Sequence, residues 1–584
     1  MRWLKLGLLA IVSLLVIIAT PPAIASYSPL TLSPSTATSS IHLSDRTLYV
    51  GTPSETQLAS SPLIQIVVDV TVKNLGTRAF LVQPADFSLS AEGDMFGQAS
   101  MPSGTPSQTA IVRPGDSIIF HVTFPVPVAV LPRASLVYHP RKERLVASIR
   151  LPTPVTTPPP TRLAPVKVST DVPESAPESG QLATDTTDVT TTNSSATPLA
   201  TGTVTPKVAP PPTAPTSTAS VTPTSTPTTI STSTPTPIPL GTINEFSLNG
   251  GVGDPWGTAI DPAGNVWFAE PGCDFSPTCP STSGPGELGE LLAGSNTLRW
   301  YTLPNISGNQ PIFVTLDNLG NVWFTSPNNS MIGEFSPVTQ SFVGEWPVTP
   351  NSGPWDLTYA NGKIWYTEHF VSAVGEFDPT THTYQDFVTP SAASNPYGIA
   401  ATGTLIWFAE NNSSVARIAK LDTANNNQIS EYLIRPSPSS SLTPHLLAAD
   451  ANGNLWWSEG FVRAIGRLDP RVATPGVCGT TTGDCVGVSE FGLPPTPPSC
   501  SNSHVSGIAV EGGGSLIWVD DSLSAQVGNY NPSTNQFALE SLASCGAHPH
   551  DGLNLDAALP PHVWWDEEFA NALGRLTQKK RLRT

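Results

Sequence analysis

The sequence predicts an all-β chain built on a seven-bladed β-propeller. Three observations predict it. A tryptophan-centred phrase recurs seven times, at Trp267, Trp323, Trp365, Trp407, Trp456, Trp518 and Trp564. The two tightest intervals, Trp323 to Trp365 and Trp365 to Trp407, are each 42 residues. Each copy divides into four short strands. The fullest reads Gly353-Pro354-Trp355-Asp356-Leu357-Thr358, then Asn361-Gly362-Lys363-Ile364-Trp365-Tyr366-Thr367-Glu368, then Val374-Gly375-Glu376-Phe377-Asp378, and a fourth strand near Tyr384 to Val388. A proline-led apolar strand meets an Asn-Gly turn, and a tryptophan strand ending in an acid follows. A third strand then carries hydrophobic-Gly-x-hydrophobic. Repeats of about 40–50 residues with four strands each read as propeller blades, because one blade cannot bury its own faces and must stack on neighbours.

Closure follows from the two ends of this region. The last repeat has Pro549 to Asp556, Val563 to Glu567 and Ala572 to Leu576, then a basic tail over 578–584, and it lacks a fourth strand. Thr242-Ile243-Asn244-Glu245-Phe246-Ser247-Leu248 resembles the missing strand; Ile429-Ser430-Glu431-Tyr432-Leu433 is its counterpart in the fourth repeat. A propeller over 242–577, closed by its N-terminal strand, removes both open sheet edges.

Ahead of the propeller, residues 1–25 read as a signal peptide. Arg2 and Lys5 precede the apolar run Leu6 to Ala19, and Ala23-Ile24-Ala25 is a small-x-small cleavage site. Secretion or display at the cell surface follows as the expected location, with an uncleaved anchor as the other reading. Residues 27–152 predict an Ig-like β-sandwich from Ile64 to Val72, Ala79 to Val82, Ser88-Leu89-Ser90 and Ile118 to Phe124, with turns at Lys73-Asn74-Leu75-Gly76 and Pro114-Gly115-Asp116. Its Val70 to Asn74, Pro84 to Phe87 and Pro114 to Ser117 resemble telokin-like Ig-type domains of exported bacterial proteins. Residues 153–240 are rich in Thr, Pro, Ser, Ala and Val, have few charges and lack aromatics, a composition that cannot bury a core and predicts a disordered stalk.

The six cysteines all lie in the propeller, and pairings Cys273–Cys279, Cys478–Cys485 and Cys500–Cys545 are expected. The last pair precedes the first strands of two adjacent blades. The net charge of −18 and pI near 4.9 argue against nucleic acid as a partner. A monomer is expected, taking a small ligand, a peptide or a cell-surface glycan.

The starts of first strands and the ends of second strands share one face of a propeller near its axis. The first ring is then Trp256, Ile312, Trp355, Tyr397, His445, Ser506 and His550. The second, three residues after each tryptophan, is Glu270, Ser326, Glu368, Glu410, Glu459, Asp521 and Glu567, with His369, His504, His548 and Glu568 beside them. Aromatics at Trp256, Trp355 and Tyr397, with His445 and Glu368, are the candidate binding residues. Clustered carboxylates and histidines suit general acid–base work or cation binding. The recurrent acid has a second reading as architecture, each one accepting backbone hydrogen bonds.

The repeats Pro396-Tyr397-Gly398-Ile399, Leu455-Trp456-Trp457-Ser458-Glu459, Ala464-Ile465-Gly466-Arg467-Leu468 and Ile429-Ser430-Glu431-Tyr432 resemble those of streptogramin B lyase, also called virginiamycin B lyase. The resemblance covers about 242–577. It implies a seven-bladed propeller and Mg2+-dependent eliminative opening of cyclic depsipeptides at the ester. His550 then matches the family's general base, His504 and Glu568 join it as catalytic candidates, and His548 and Glu567 are the metal candidates. Two positions depart from the family pattern: Ser506 stands where a histidine is expected, with His504 two residues early, and His548 replaces a metal-associated Glu. His445 in Pro444-His445-Leu446 carries the histidine motif one blade too soon. Two function classes follow, a carbon–oxygen lyase acting on a cyclic ester and a non-catalytic surface module binding glycan or peptide in the same mouth. A lactonase of the related six-bladed kind stands third, against the blade count.

Overall fold

The computed structural model describes residues 37–43, 45–57, 63–97, 110–127, 134–138, 147–151, 155–156, 239–273, 284–304, 309–439, 441–500 and 502–579. The leader and nearly all of the 153–240 stalk lie outside the described residues. The chain divides into two compact units, one of residues 1–159 with 239–584 and one of 160–238.

Seven four-stranded antiparallel sheets form the propeller among the described residues. Six are consecutive meanders, beginning at Trp256–Ile260, Val314–Leu316, Pro354–Ala360, Pro396–Thr402, Leu447–Ala449 and Val505–Glu511. The seventh joins Pro549–Leu555, His562–Glu567 and Ala572–Gln578 to Gly241–Ser247, which pairs along the last strand from Gly241↔Gln578 to Ser247↔Ala572. The N-terminal strand therefore closes the ring as expected.

The repeat has a packing logic. The anchor tryptophan and the turn before it are tied together: Asp317 takes the N–H groups of Leu319, Asn321 and Trp323 Nε1, and Asp450 does the same for Asn452, Asn454 and Trp456 Nε1. The third-strand glycine leaves room for the aromatic that follows the tryptophan. A Cβ on Gly375 or Gly574 would lie 2.0 Å from Tyr366 or Trp565. Side-chain hydroxyls latch four of the neighbouring pairs of blades near the axis. Thr325 donates to Trp355 O at 2.5 Å, Thr367 to Tyr397 O at 2.6 Å, Ser458 to Ser506 O at 2.5 Å, and Thr258 to Gly552 O at 2.5 Å across the closure.

The N-terminal part folds into two main sheets around one core. Leu63–Asn74 pairs with Ser117–Pro127 and Arg46–Gly51 in one, and Phe87–Ala91 pairs with Ser135–Tyr138 and Asp94–Phe96 in the other. Ile64, Ile66, Val68, Val70 and Val72 are all fully buried, the period-two pattern of a strand with one face on a core. Phe87, Leu89, Leu136 and Tyr138 face them from the second sheet.

Two disulfides join Cys478 to Cys485 and Cys500 to Cys545. Cys273 is also disulfide-bonded, and its expected partner Cys279 lies outside the described residues.

Candidate functional site

Five of the seven first strands break register at the mouth, while Ile312 and His445 lie just ahead of the strands Val314–Leu316 and Leu447–Ala449. Pairing jumps between Trp256 and Thr258, Pro354 and Leu357, Pro396 and Ile399, Val505 and Ile508, and His550 and Asn554. Such bulges re-aim side chains out of the pleat, here towards the axis. The rings then close on themselves. Trp256 meets Trp355 at 6.4 Å between centroids, Trp355 meets Tyr397 at 5.4 Å, and Tyr397 stacks on His445 at 3.9 Å. His445 meets His504 at 4.9 Å, His504 meets His550 at 5.7 Å, and His550 returns to Trp256 at 4.9 Å. His504 fills the space that Ser506 leaves, since residues two apart share a strand face; His548 lies beside His550 in the same relation, at 5.3 Å.

The second ring is displaced by one residue from the sequence reading. Side chains one and three after the tryptophan share one face of the strand, so Glu459 takes Trp457 Nε1–H at 2.6 Å and Glu567 takes Trp565 Nε1–H at 2.9 Å. Glu270 accepts Gly253 N–H, and Asp521 accepts His504 N–H and pairs with Arg463. These acids, with Glu368 and Glu410 at the same position, are buried blade architecture. The residue four after the tryptophan reaches the mouth instead: His369 lies 4.7 Å from the Trp355 ring, Asn411 and Ser522 contact the histidine cluster, and Glu568 lies 3.3 Å from His548 Nε2. Of the sequence candidates, Trp256, Trp355, Tyr397, His445, His504, His548, His550 and Glu568 come together. Glu368 and Glu567 do not.

The hub of the cluster is Asp551, which sequence reasoning missed. It accepts hydrogen bonds from Trp256 Nε1 at 3.0 Å, Tyr397 OH at 2.5 Å and His445 Nε2 at 2.8 Å. Its φ of +45° is unusual for a non-glycine residue and marks the site. The signal lay in the repeat: the residue after the ring position is Gly257, Gly398 and Gly507 in three blades and a carboxylate in two, Asp356 and Asp551.

The mouth is filled by the N-terminal part of the same chain. Strands Phe87–Ala91 and Asp94–Phe96 form a hairpin whose two turn residues, Glu92 and Gly93, have φ of +52° and +76°, as a tight two-residue turn demands. A Cβ on Gly93 would lie 2.5 Å from Tyr397 OH. Asp94 takes His445 Nδ1 at 2.7 Å, His504 Nε2 at 3.1 Å, Thr443 Oγ1 at 2.6 Å and Asn411 Nδ2 at 2.7 Å. Glu92 Oε2 lies 3.0 Å from His548 Nε2. Met95 N–H donates to Asn411 Oδ1, and Ser413 N–H donates to Met95 O. Asp94, His445, His504, His550 and Asp551 are all at most 4% exposed.

The charges sort themselves. Burial alone would lower the His445 pKa, but Asp551 and Asp94 on its two nitrogens push it up to about 10, so it is an imidazolium bridging two carboxylates. Burial opposes ionisation of Asp94, and His445 and His504 overcome it and hold its pKa below the usual range. His550 is the opposite case. Burial pushes it down to about 3, and neither ring nitrogen has a hydrogen-bond partner. Around them Asp356 and Asp520 are pushed up to about 7 by burial. A surface groove lined by Ala263, Leu292, Asn296, Ala558 and Trp564 touches none of these residues.

Three groups of described residues offer metal-ligand atoms within 4.8 Å of one another: Glu92, His548 and His550; Asp94, His445 and His504; and His445, His550 and Asp551. Each has two imidazoles. Magnesium demands hard oxygen ligands in octahedral array, so these donors do not fit the Mg2+ that the resemblance implies.

Seven blades, an N-terminal closing strand and His548-Pro549-His550 opening the last blade now stand together. Residues 297–584 match the Virginiamycin B lyase family. The match begins at the last strand of blade one. Among solved structures, virginiamycin B lyase from Staphylococcus aureus is 21% identical, covering 58% of this chain and 99% of its own at a TM-score of 0.46. A streptogramin B lyase structure is 22% identical, covering 58% and 98% at 0.46. A catalytically inactive form of the Staphylococcus aureus virginiamycin B lyase with quinupristin is 22% identical, covering 58% and 99% at 0.47. Among curated proteins, none matches this chain.

Proposed function

We propose that this chain is an exported protein in which a virginiamycin B lyase-like propeller serves as a receptor for a carboxylate carried on a tight peptide turn, with the mouth held by its own N-terminal hairpin. One observation carries this reading: the Asp94 carboxylate lies fully buried with four side-chain donors, two of them histidines, around it. Charge-assisted hydrogen bonds are about twice as strong as neutral ones, and a charge this deep requires such a socket. The leader and the cysteine pairs support export, since disulfides persist in oxidising compartments.

A second reading rests on His550. A neutral imidazole with both nitrogens free of hydrogen bonds, near His548 and Glu568, is placed to take a proton once the mouth opens and the burial that weakens its basicity is relieved. In elimination on a cyclic ester, His550 would take the proton α to a carbonyl as the ester C–O bond breaks. Glu568 through His548 would return a proton to the leaving oxygen. This chemistry needs the hairpin out of the mouth.

Both readings meet in one experiment on the full chain and its Asp94→Ala variant. A peptide spanning residues 89–96 is titrated into each by calorimetry, and a streptogramin B antibiotic is incubated with each and analysed by retention time and fragmentation, because elimination leaves the mass unchanged. The receptor reading expects the variant to bind the peptide and not its Asp→Asn form, with the antibiotic intact. No peptide binding to a folded variant sinks it. Ring opening that a further His550→Ala change abolishes establishes the lyase instead.

A further inference from the structure

We propose that Glu92, His548 and His550 form a binding site for a borderline divalent transition-metal ion of the zinc class, which pins the N-terminal hairpin to the seventh blade. The site spans two parts of the chain. Glu92 comes from the tip of the 87–96 hairpin, and both histidines come from the start of blade seven. Their ligand atoms lie within 4.8 Å of one another, and all three residues are buried. Zinc takes imidazole nitrogen and carboxylate oxygen at about 2.0–2.2 Å, which sets tetrahedral ligand atoms about 3.3 Å apart. Glu92 Oε2 and His548 Nε2 already stand at 3.0 Å.

His550 is the observation that points to a ligand. It is 1% exposed, sits between Trp256, His504 and His548, and has no hydrogen-bond partner at Nδ1 or Nε2. A buried polar atom left without a partner costs about 1–3 kcal/mol and calls for an explanation, an ion or a water being the usual ones. Two imidazoles with one carboxylate select zinc-like ions over magnesium or calcium. Glu568, 3.3 Å from the same His548 Nε2, brings a second carboxylate to the side of the ring that faces Glu92. The Asp94, His445, His504 group has equal ligand count, but its histidine nitrogens are already committed to Asp94 and Asp551. The inference goes beyond the receptor reading and does not depend on it, since Asp94 and its four partners need no ion.

The test uses the tag-free full chain, stripped with chelator and titrated with Zn2+ by calorimetry and with Co2+ by visible absorption. Wild type is expected to bind one equivalent and to give the absorption of a four-coordinate Co2+ site with nitrogen and oxygen ligands. Glu92→Gln and His550→Gln are each expected to weaken binding at least 100-fold, and Glu270→Gln, at an acid buried in blade one against Gly253 N–H, to leave one equivalent bound. Circular dichroism checks that each variant is folded. Wild type that takes up no ion, or folded Glu92→Gln and His550→Gln that bind as wild type does, overturns the site and leaves a water beside His550 as the explanation. Because wild type is itself an arm, the proposal stands or falls even where a variant does not fold.

Discussion

Removing one carboxylate should loosen the N-terminal hairpin without touching the propeller's fold. Asp94→Asn keeps the size of the side chain and removes its charge. In the native arrangement His445 is an imidazolium with Asp94 on Nδ1 and Asp551 on Nε2, at 2.7 and 2.8 Å. Breaking one side of a buried, hydrogen-bonded charge pair costs about 3–5 kcal/mol, because the remaining charge stays buried. Some is recovered, since the amide oxygen of Asn can still accept from Thr443 Oγ1, one of the four donors. A net loss of about 3 kcal/mol is expected in docking, which is a factor of about 10²in the closed-to-open ratio.

Native-state hydrogen exchange reads this directly. Met95 N–H donates to Asn411 Oδ1 and Ser413 N–H donates to Met95 O, so both amides are protected by the docked state. Their exchange should speed up about 100-fold in Asp94→Asn. Amides in the central strands of blades two and three, such as Phe324 and Tyr366, should be unchanged. Asp94→Asn and His445→Gln should also be non-additive, with a coupling energy above about 1 kcal/mol. Unchanged protection at Met95 and Ser413, or additive effects, would refute the claim that this ion chain holds the hairpin.

Two further predictions concern the propeller. Burial pushes Glu270 up to about 7, against an ordinary value near 4.3, so the folded state holds the proton more tightly and stability falls as pH rises from about 4.5 to about 7. Glu270→Gln keeps an acceptor for Gly253 N–H and should raise stability at pH 8 by up to about 3 kcal/mol at 1.36 kcal/mol per unit, with little change at pH 4.5; equal urea midpoints for the two proteins at pH 8 would contradict this. The Cys500–Cys545 disulfide closes a separation of 45 residues and Cys478–Cys485 one of 7, so the chain-entropy relation gives about 4 and about 2 kcal/mol. Double Cys→Ser variants compared by denaturant unfolding should show the larger loss for the first pair, and the reverse order would argue against an entropic account.

The propeller was legible because its information is local and repeated. A tryptophan, a turn and a glycine at fixed spacing specify each blade, and the closing strand Gly241–Ser247 could be found by comparison with Gln428–Leu433 inside the same sequence. The first ring was legible for the same reason. The second ring failed by one residue because the bulges that shape the mouth lie on the first strands. Those bulges rotate Trp355 or His550 to the axis, while Lys363–Glu368 and His562–Glu567 keep the strict pleat and place Glu368 and Glu567 on one face with Tyr366 and Trp565. Period-two reasoning from the hydroxyl latches, Thr325, Thr367 and Ser458, would have placed His369, Asn411 and Glu568 at the mouth. The occupancy of the mouth had no such signal. Ala91-Glu92-Gly93-Asp94 reads as a hairpin turn and nothing more, because its partners His445 and His504 lie 351 and 410 residues away. What fills the mouth of this propeller is therefore a contact between two parts of the chain that share no repeat. A mouth lined with histidines is expected from the sequence either to act on a cyclic ester or to bind glycan or peptide, and in the structure the same histidines surround two carboxylates that the chain itself supplies.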